Sequence, residues 1–469
     1  MNQASRNRIL TVLFLGVLMG ALDIAIVGPA LPAIQQTFGV NERLLAWIFS
    51  IYVLFNLIGT PLMAKLSDQF GRRMVYVVDI ALFAAGSLIV ALSSSFTFVL
   101  IGRAIQGFGA GGIFPVATAV IGDTFPPEKR GSALGLIGAV FGVAFIIGPI
   151  LGGLLLTAGW HWLFLINLPI AVLVIYLSLH ILPANRPVRI GRFDWVGMLV
   201  LAATLASLAI AINQIDTRNV FSSLVSLNVL PFFLSVMVLT PILIRIERLS
   251  SNPVLRMDLF SNRQMLLSYI LSLGAGIGES GLVFMPSLAV AAFAIKSSEA
   301  SFMLVPLVLA MAVVSPIIGW LLDRLGSKVV VFSGTFLLVA GMFFLGGLAS
   351  HSVALFLISG VLVGCGLSSL LGAPLRYIML NEASPADRSV AQGVVTLSGS
   401  IGQLIGSALV GAVAASTGGS VAGFSNAYLV VGGISILLIF AAARLKNRSS
   451  EQATVAAHAL AVSSNAPAQ

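Results

Sequence analysis

Charge is what this sequence has least of. Only 9% of its 469 residues are Asp, Glu, Lys or Arg, against 58% hydrophobic residues. Soluble domains carry about 25% charged residues. A water-soluble chain of this length could not cover its surface with so few charges, which excludes soluble enzymes and soluble nucleic-acid-binding domains. Cysteine is nearly absent. Cys365 stands alone, so neither an internal disulfide nor a cysteine-cluster metal site can form, and it reads as a small packing residue. His161, His180, His351 and His458 are scattered without ligand spacing, so no metal is expected. No Gly-x-x-x-x-Gly-Lys-Ser/Thr occurs. The chain therefore has no ATP cradle and needs no cofactor; an ion gradient or the substrate's own gradient must supply the energy for any transport.

Long apolar runs are abundant. About 20 residues at a rise of 1.5 Å cross the hydrocarbon core of a bilayer. Fourteen runs meet this length, at 9–32, 46–66, 74–93, 96–121, 132–157, 162–182, 195–214, 224–244, 266–293, 300–322, 328–348, 352–375, 389–416 and 425–443. They predict an all-α integral membrane protein with 14 transmembrane helices, since barrel strands would be short and alternating. The first run carries Asp23 and is too long for a cleaved leader. The tail 449–469, rich in Ala, Ser and Gln, reads as a disordered cytoplasmic segment.

The net charge of +9 invites a nucleic-acid reading until the charges are placed. With the N-terminus inside and the spans alternating, 21 of the 25 basic residues fall on inside segments. Only Arg43, Arg218 and Lys296 fall outside, and Arg103 lies within a span. That bias follows the positive-inside rule. It predicts a multi-pass membrane protein with both termini cytoplasmic, bilayer lipid as its surroundings and no nucleic-acid partner.

Two inside loops repeat. Ala64-Lys-Leu-Ser-Asp68-Gln-Phe-Gly71-Arg72-Arg73 follows the second span, and Gly319-Trp-Leu-Leu-Asp323-Arg324-Leu-Gly326-Ser-Lys328 follows the tenth, offset by 255 residues (68 to 323). Gly107 and Gly364, then Gly148 and Gly406, match at nearly the same offset. The pattern predicts two six-helix pseudo-repeats, 1–190 and 263–448, around two inserted helices in 191–262. Two like halves about a mid-membrane site are the usual build of secondary transporters.

At these residues the chain resembles the major facilitator superfamily, and within it the fourteen-span drug:proton antiporters. The resemblance covers nearly all of 9–445. Asp68-Gln-Phe-Gly71-Arg72-Arg73 is similar to the signature loop after the second span, and Arg103-Ala-Ile-Gln106-Gly107 to the fourth-span motif. Gly148-Pro149-Ile-Leu-Gly152-Gly153 is similar to the antiporter-associated fifth-span motif, and Leu22-Asp23 through Leu31-Pro32 to the first-span motif of the fourteen-span group. Trp160 through Pro169 and Phe193-Asp194-Trp195-Val-Gly197 resemble the entries to the sixth and seventh spans. The chain departs from the usual pattern at Ala64, Gln69 and His161, and at Ala25 and Gly28 beside the expected cavity. The resemblance implies multidrug efflux by proton exchange. Small molecules and protons are then the partners, and a periplasmic adaptor is left open.

Four charged groups fall inside spans: Asp23, Asp79, Arg103 and Glu279. Such groups are costly in lipid and each is a functional candidate. Helix rise places Asp23 about 21 Å from the cytoplasmic edge, and Glu279 and Arg103 about 20 Å. Asp23 and Arg103 share a depth, belong to the first half and carry opposite signs. They are expected to face one cavity and to form a proton-coupling pair, with Gly16 and Gly20 leaving room on the same helical face. The plainer alternative is a static ion pair that fixes packing. Glu279 lies in a glycine-rich stretch on one face with Tyr269, Ser272 and Gly276. It reads as a cation site, a second proton site or a packing residue bonded to a neighbour. Asp23, Gln106, Tyr269 and Glu279 form the expected substrate cavity. Asp79, about 8 Å deep, is expected to be hydrated and structural.

Gly148, Pro149 and Gly152 are the expected hinge, since proline removes a backbone hydrogen bond and glycine permits close approach. Simple tight packing explains them as well. By resemblance, Asp68, Gly71, Arg72, Arg73, Asp323 and Arg324 are expected to gate the inner face. Gly107-Phe-Gly109-Ala-Gly111-Gly112 mimics a dinucleotide loop, but no strand precedes it, and helix packing is the better reading. An exporter of cationic or amphipathic compounds results. An exporter of an endogenous metabolite, an uptake symporter or facilitator, and a transporter-like sensor or scaffold are the alternatives.

Overall fold

The computed structural model describes residues 3–184, 194–250, 253, 256–383 and 387–454. The first helices are α1 (Gln3–Phe38), α2 (Glu42–Phe70), α3 (Arg72–Ala91), α4 (Phe96–Thr124) and α5 (Pro127–Leu156). Then come α6 (His161–Leu165), α7 (Asn167–Ile181), α8 (Trp195–Asn213), α9 (Val220–Leu224) and α10 (Leu230–Leu249). The remainder are α11 (Arg263–Phe293), α12 (Ser297–Phe302), α13 (Val305–Leu325), α14 (Ser327–Gly347), α15 (Val353–Leu371), α16 (Ala373–Glu382), α17 (Arg388–Ser416) and α18 (Val421–Ala443). No strand occurs among the described residues.

Among the described residues, thirteen helices, counting α6–α7, α12–α13 and α15–α16 as single rods, are long and apolar enough to cross a membrane. Val140–Leu156 of α5 is a shorter apolar helix. Lipid around the helices accounts for the outward apolar residues of α10, where Met237 is 72% and Val238 58% exposed. In lipid such side chains need no cover, while helices satisfy every backbone group internally.

The chain forms two compact units. The first is Met1–Val254 with Leu282–Val305 and Ser407–Gly423; the second is Leu255–Gly281, Pro306–Gly406 and Phe424–Gln469. Helices α11 and α17 each contribute one end to either unit. Within the first unit those ends pack on small residues: a Cβ on Gly28 would meet Val283 O at 3.0 Å, and one on Gly411 would meet Ala46 Cβ at 2.4 Å. The Ser50 and Ser407 hydroxyls bond at 2.7 Å. Helix α8 is tied to α2 by polar groups at its end: Trp47 donates to Asn213 (3.1 Å), and Arg43 donates to the Gln214 and Ile215 carbonyls (3.2 and 3.0 Å).

Glycine sets the core of the first unit. A Cβ on Gly107 would lie 2.2 Å from Tyr52 O, and one on Gly109 2.6 Å from Asp79 O. The dinucleotide-like glycines are thus the surface through which α4 meets α2 and α3. Backbone cannot retreat as a side chain can, and overpacking a core costs about 1–3 kcal/mol or more. Gly107→Ala is therefore expected to lower the melting temperature in detergent by several degrees; an unchanged melt would contradict the packing.

The tail departs from expectation. Residues 448–454 are helical and Glu451 is buried, because this segment seats its polar groups on the helix ends of the second unit. Residues 455–469 and the basic positions Arg186, Arg189 and Arg192 lie outside the described residues.

Candidate functional site

Five helices of the first unit meet at one buried polar cluster. Helix α1 supplies Asp23, α3 Ser87, α4 Arg103 and Gln106, and α7 Asn167; all five are 0–1% exposed. Asp23 and Ser87 sit beside α4 because glycines thin the seams. Gly86 and Gly102 meet across α3 and α4, where an added Cβ would lie under 3.0 Å from the opposite backbone.

Arg103 Nη1 donates to Asp23 Oδ2 at 2.6 Å and to Gln106 Oε1 at 2.6 Å. Its Nε donates to Ile48 O at 3.1 Å, bringing α2 in as the fifth helix. The guanidinium lies over the Tyr52 ring, 4.2 Å from its centroid, with the Phe164 ring at 5.9 Å. Nη2 has no hydrogen-bond partner among the described residues. Cation–π attraction is worth about 2 kcal/mol when desolvated, which partly offsets that omission.

Asp23 Oδ1 accepts from Gln106 Nε2 at 2.7 Å and from Asn167 Nδ2 at 3.3 Å. The Ser87 hydroxyl accepts from both amides, at 2.8 and 2.9 Å. One carboxylate thus holds one guanidinium and two amides. Such a pair is stable only while complete, because each charge in a low-dielectric interior needs the other.

The structure brings Asp23, Arg103 and Gln106 together. All three are fully buried, with the Tyr52 and Phe164 rings against the guanidinium. The room expected beside Asp23 is filled at Gly16, where a Cβ would meet the Tyr76 hydroxyl at 2.1 Å, and remains at Gly20, where a Cβ would meet only Ile113 Cδ1, at 3.8 Å. Ser87, Asn167 and Tyr52 are the partners that charge counting missed. Asn167 did carry a signal, standing two residues before Pro169 in the Trp160–Pro169 motif; neutral Ser87 carried none.

Asp79 is fully buried rather than hydrated, with no hydrogen-bond partner on either oxygen among the described residues. Its carboxyl lies on α4 where Gly112 has no side chain; a Cβ there would meet Oδ2 at 2.1 Å. The nearness of α4, rather than depth along α3, decides its exclusion from water.

In the second unit, Glu279 of α11 is part-exposed and accepts from Gln403 Nε2 of α17 at 2.7 Å. Tyr269 is buried with its ring 5.1 Å from that of Phe260, and its hydroxyl has no hydrogen-bond partner among the described residues. Ser272 donates to Val395 O at 2.7 Å, so it serves the α11–α17 contact.

The α2–α3 loop turns on Gly71, whose φ of 94° favours glycine. Arg72 pairs with Asp68, reaches Asp123 at 3.2 Å and donates to Ser67 Oγ at 2.6 Å. Arg73 donates to Leu179 O at 3.1 Å. The matching α13–α14 loop turns on Gly326, φ 81°. There Arg324 stacks on Trp320 at 4.2 Å, while Asp323 is exposed and forms no ion pair among the described residues. Outside the apolar helices, Arg256 bonds Asp258 and Asp387. The two carboxylates hold the guanidinium above its usual range, and the bond from Arg256 draws Asp258 below its own.

Helix α5 runs unbroken through Pro149. Gly148 abuts Ala25, and Pro149 O accepts from Ser301 Oγ at 2.7 Å. A Cβ on Gly152 would meet Ser301 Oγ at 2.8 Å and Pro29 Cβ at 3.0 Å. The three residues expected as a hinge are thus close-packing positions within the first unit.

Comparison with known proteins agrees with this architecture. The family model of the Major Facilitator Superfamily matches residues 13–289 and 266–465. The chain is 33% identical over 407 residues to the MFS-type transporter YfiU of Bacillus subtilis (strain 168), covering 85% of this chain and 78% of that protein. It is 30% identical over 417 residues to Multidrug resistance protein Stp of Mycobacterium tuberculosis (strain CDC 1551 / Oshkosh), covering 88% and 76%. Its fold is similar to that of a D-xylose–proton symporter, with a TM-score of 0.69 at 16% identity over 95% of this chain and 98% of the other. From an apolar, all-helical build and a match spanning nearly its whole length, the chain belongs to the major facilitator superfamily and is a membrane transporter, not an enzyme.

Proposed function

We propose that this transporter exports small cationic or amphipathic compounds in exchange for protons. The observation that carries the reading is the enclosed Asp23–Arg103–Gln106 cluster. Separating the pair would leave a carboxylate alone in apolar surroundings, at a cost of several kcal/mol. Taking up a proton removes that cost. A movement that draws Arg103 from Asp23 therefore loads a proton, and re-forming the pair expels it. Similarity to multidrug resistance proteins supports export and the substrate class.

In this proposal α5 joins the thirteen long helices as a fourteenth span, arranged as halves 1–190 and 263–448 around inserted helices in 191–262. Both termini lie on the cytoplasmic side of the bacterial inner membrane, which the distribution of Lys and Arg supports. Glu279 serves as the second-half carboxylate for a cation or proton, with Tyr269 on the same face of α11, about three turns away. The loops holding Asp68, Gly71, Arg72, Arg73, Asp323 and Arg324 gate the inner face. Gly148, Pro149 and Gly152 form a seal that must slide when the halves alternate.

Everted vesicles with a respiration-acidified lumen test the coupling. Adding ethidium is expected to alkalinise the lumen of vesicles bearing the protein and not that of control vesicles. Acidification would indicate symport, and transport without a pH response a facilitator; either result overturns the reading.

A further inference from the structure

The two sequence-matched loops are braced by opposite chemistry. Position 72 in the first loop is arginine, bonded to Asp68 and Asp123. The position 255 residues later is Ser327. It has no charge to pair with Asp323, and the loop is held instead by an acid from a distant part of the chain. Glu451, 5% exposed, accepts from Ser327 N at 3.2 Å with Oε2 and from the Ser327 hydroxyl with Oε1.

Ser327 is the first residue of α14. The first four N–H groups of a helix lack intrahelical partners, and the helix dipole favours a negative charge there. Glu451 answers both needs.

Its neighbours fix the geometry. Arg448 Nη1 donates to Arg324 O. Lys446 Nζ reaches Glu382 Oε1 of α16 at 2.5 Å and Thr454 Oγ1 at 3.1 Å, and Lys446 N donates to Gln264 Oε1 of α11 at 3.1 Å. Gly326 leaves space for the segment: a Cβ there would meet Arg448 Cβ at 2.9 Å and Glu451 Oε2 at 3.1 Å. Residues 446–454 thus span the ends of α11, α14 and α16 within the second unit.

We propose that Glu451 is a positioning residue for transport: through Ser327 it orders the start of α14 and the Asp323–Lys328 loop, and so sets the turnover rate. The proposal rests on the transport reading above for its rate readout, and on the Glu451–Ser327 contact alone for its structural one. Unlike the loop residues, Glu451 lies in none of the quoted motifs.

The test uses the full-length protein. Backbone hydrogen exchange at Ser327–Val331 is compared in wild type, Glu451→Ala, Glu451→Gln and Glu451→Asp, and ethidium-driven proton flux is measured per folded molecule. Loss of a hydrogen bond to a charged group is expected to speed exchange there by at least about tenfold in Glu451→Ala. Maximal flux is expected to fall by about fivefold with half-saturation unchanged, with Glu451→Asp recovering part of both. Adding Ser327→Ala to Glu451→Ala is expected to bring little further loss. Unchanged exchange overturns the brace. Faster exchange with undiminished maximal flux, or a change confined to half-saturation, overturns its part in transport. If wild type shows no ethidium-driven flux, the transport reading and this role in turnover both fail, while exchange still decides whether the brace exists.

Discussion

Asp23→Asn is expected to yield a folded protein that no longer couples substrate to protons. With the amide Oδ1 still accepting from Gln106 and Asn167, its NH2 takes the place of Oδ2 and faces Arg103 Nη1 donor to donor, so the guanidinium must shift away from position 23. Arg103 keeps the Gln106 and Ile48 oxygens and the Tyr52 ring as partners, which limits the penalty of losing its counter-ion. What disappears is the group that can bind and release a proton. General acid–base groups cannot be replaced by amides without that loss. In proteoliposomes with an imposed pH gradient, wild type should accumulate ethidium against its gradient and the variant should not. Full proton–substrate exchange by Asp23→Asn would show that coupling resides elsewhere.

Arg103→Ala should be the most destabilising single change in the first unit. It strips Asp23 of its ion pair, Gln106 Oε1 and Ile48 O of their donors, and Tyr52 of the group above its ring. Removing one member of a buried pair costs about 3–5 kcal/mol, and truncating a fully buried side chain adds a cavity cost. A loss of that size should lower the melting temperature by roughly 10 °C. The diagnostic is the double variant: Asp23→Ala with Arg103→Ala removes both charges and should melt higher than Arg103→Ala alone. Additive losses would mean that the ion pair is not what binds the cluster. Arg103→Lys should not restore wild-type behaviour, because one ammonium cannot reproduce a planar fork directed at Asp23, Gln106 and Ile48.

The pairing of Asp23 with Arg103 was legible because helices rise by a constant step. Counting residues from the span ends gave both groups the same depth, and opposite charge at equal depth in lipid invites contact. Counting could not supply direction around the axis. Gly16 therefore read as open space, whereas the Tyr76 hydroxyl fills it, and Asp79 read as hydrated when α4 covers it. Ser87 and Asn167 were hidden because neutral polar residues carry no penalty large enough to mark them in an apolar run. The span limits were close, 96–121 against Phe96–Thr124 for α4, and short mainly because helices continue beyond the hydrocarbon into polar residues. The tail misled for a compositional reason: Glu451 and Arg448 find their partners on loops more than a hundred residues away, and local pattern records nothing of that distance.

The polar cluster joins α1, α2, α3, α4 and α7 at a single point. Like a knot where five ropes cross, it lets none slip without slackening the rest. In the proposed exchange, the arrival or departure of one hydrogen ion at Asp23 would be felt along five rods at once, which would give so small a chemical event the leverage to shift a whole bundle in one step rather than by degrees.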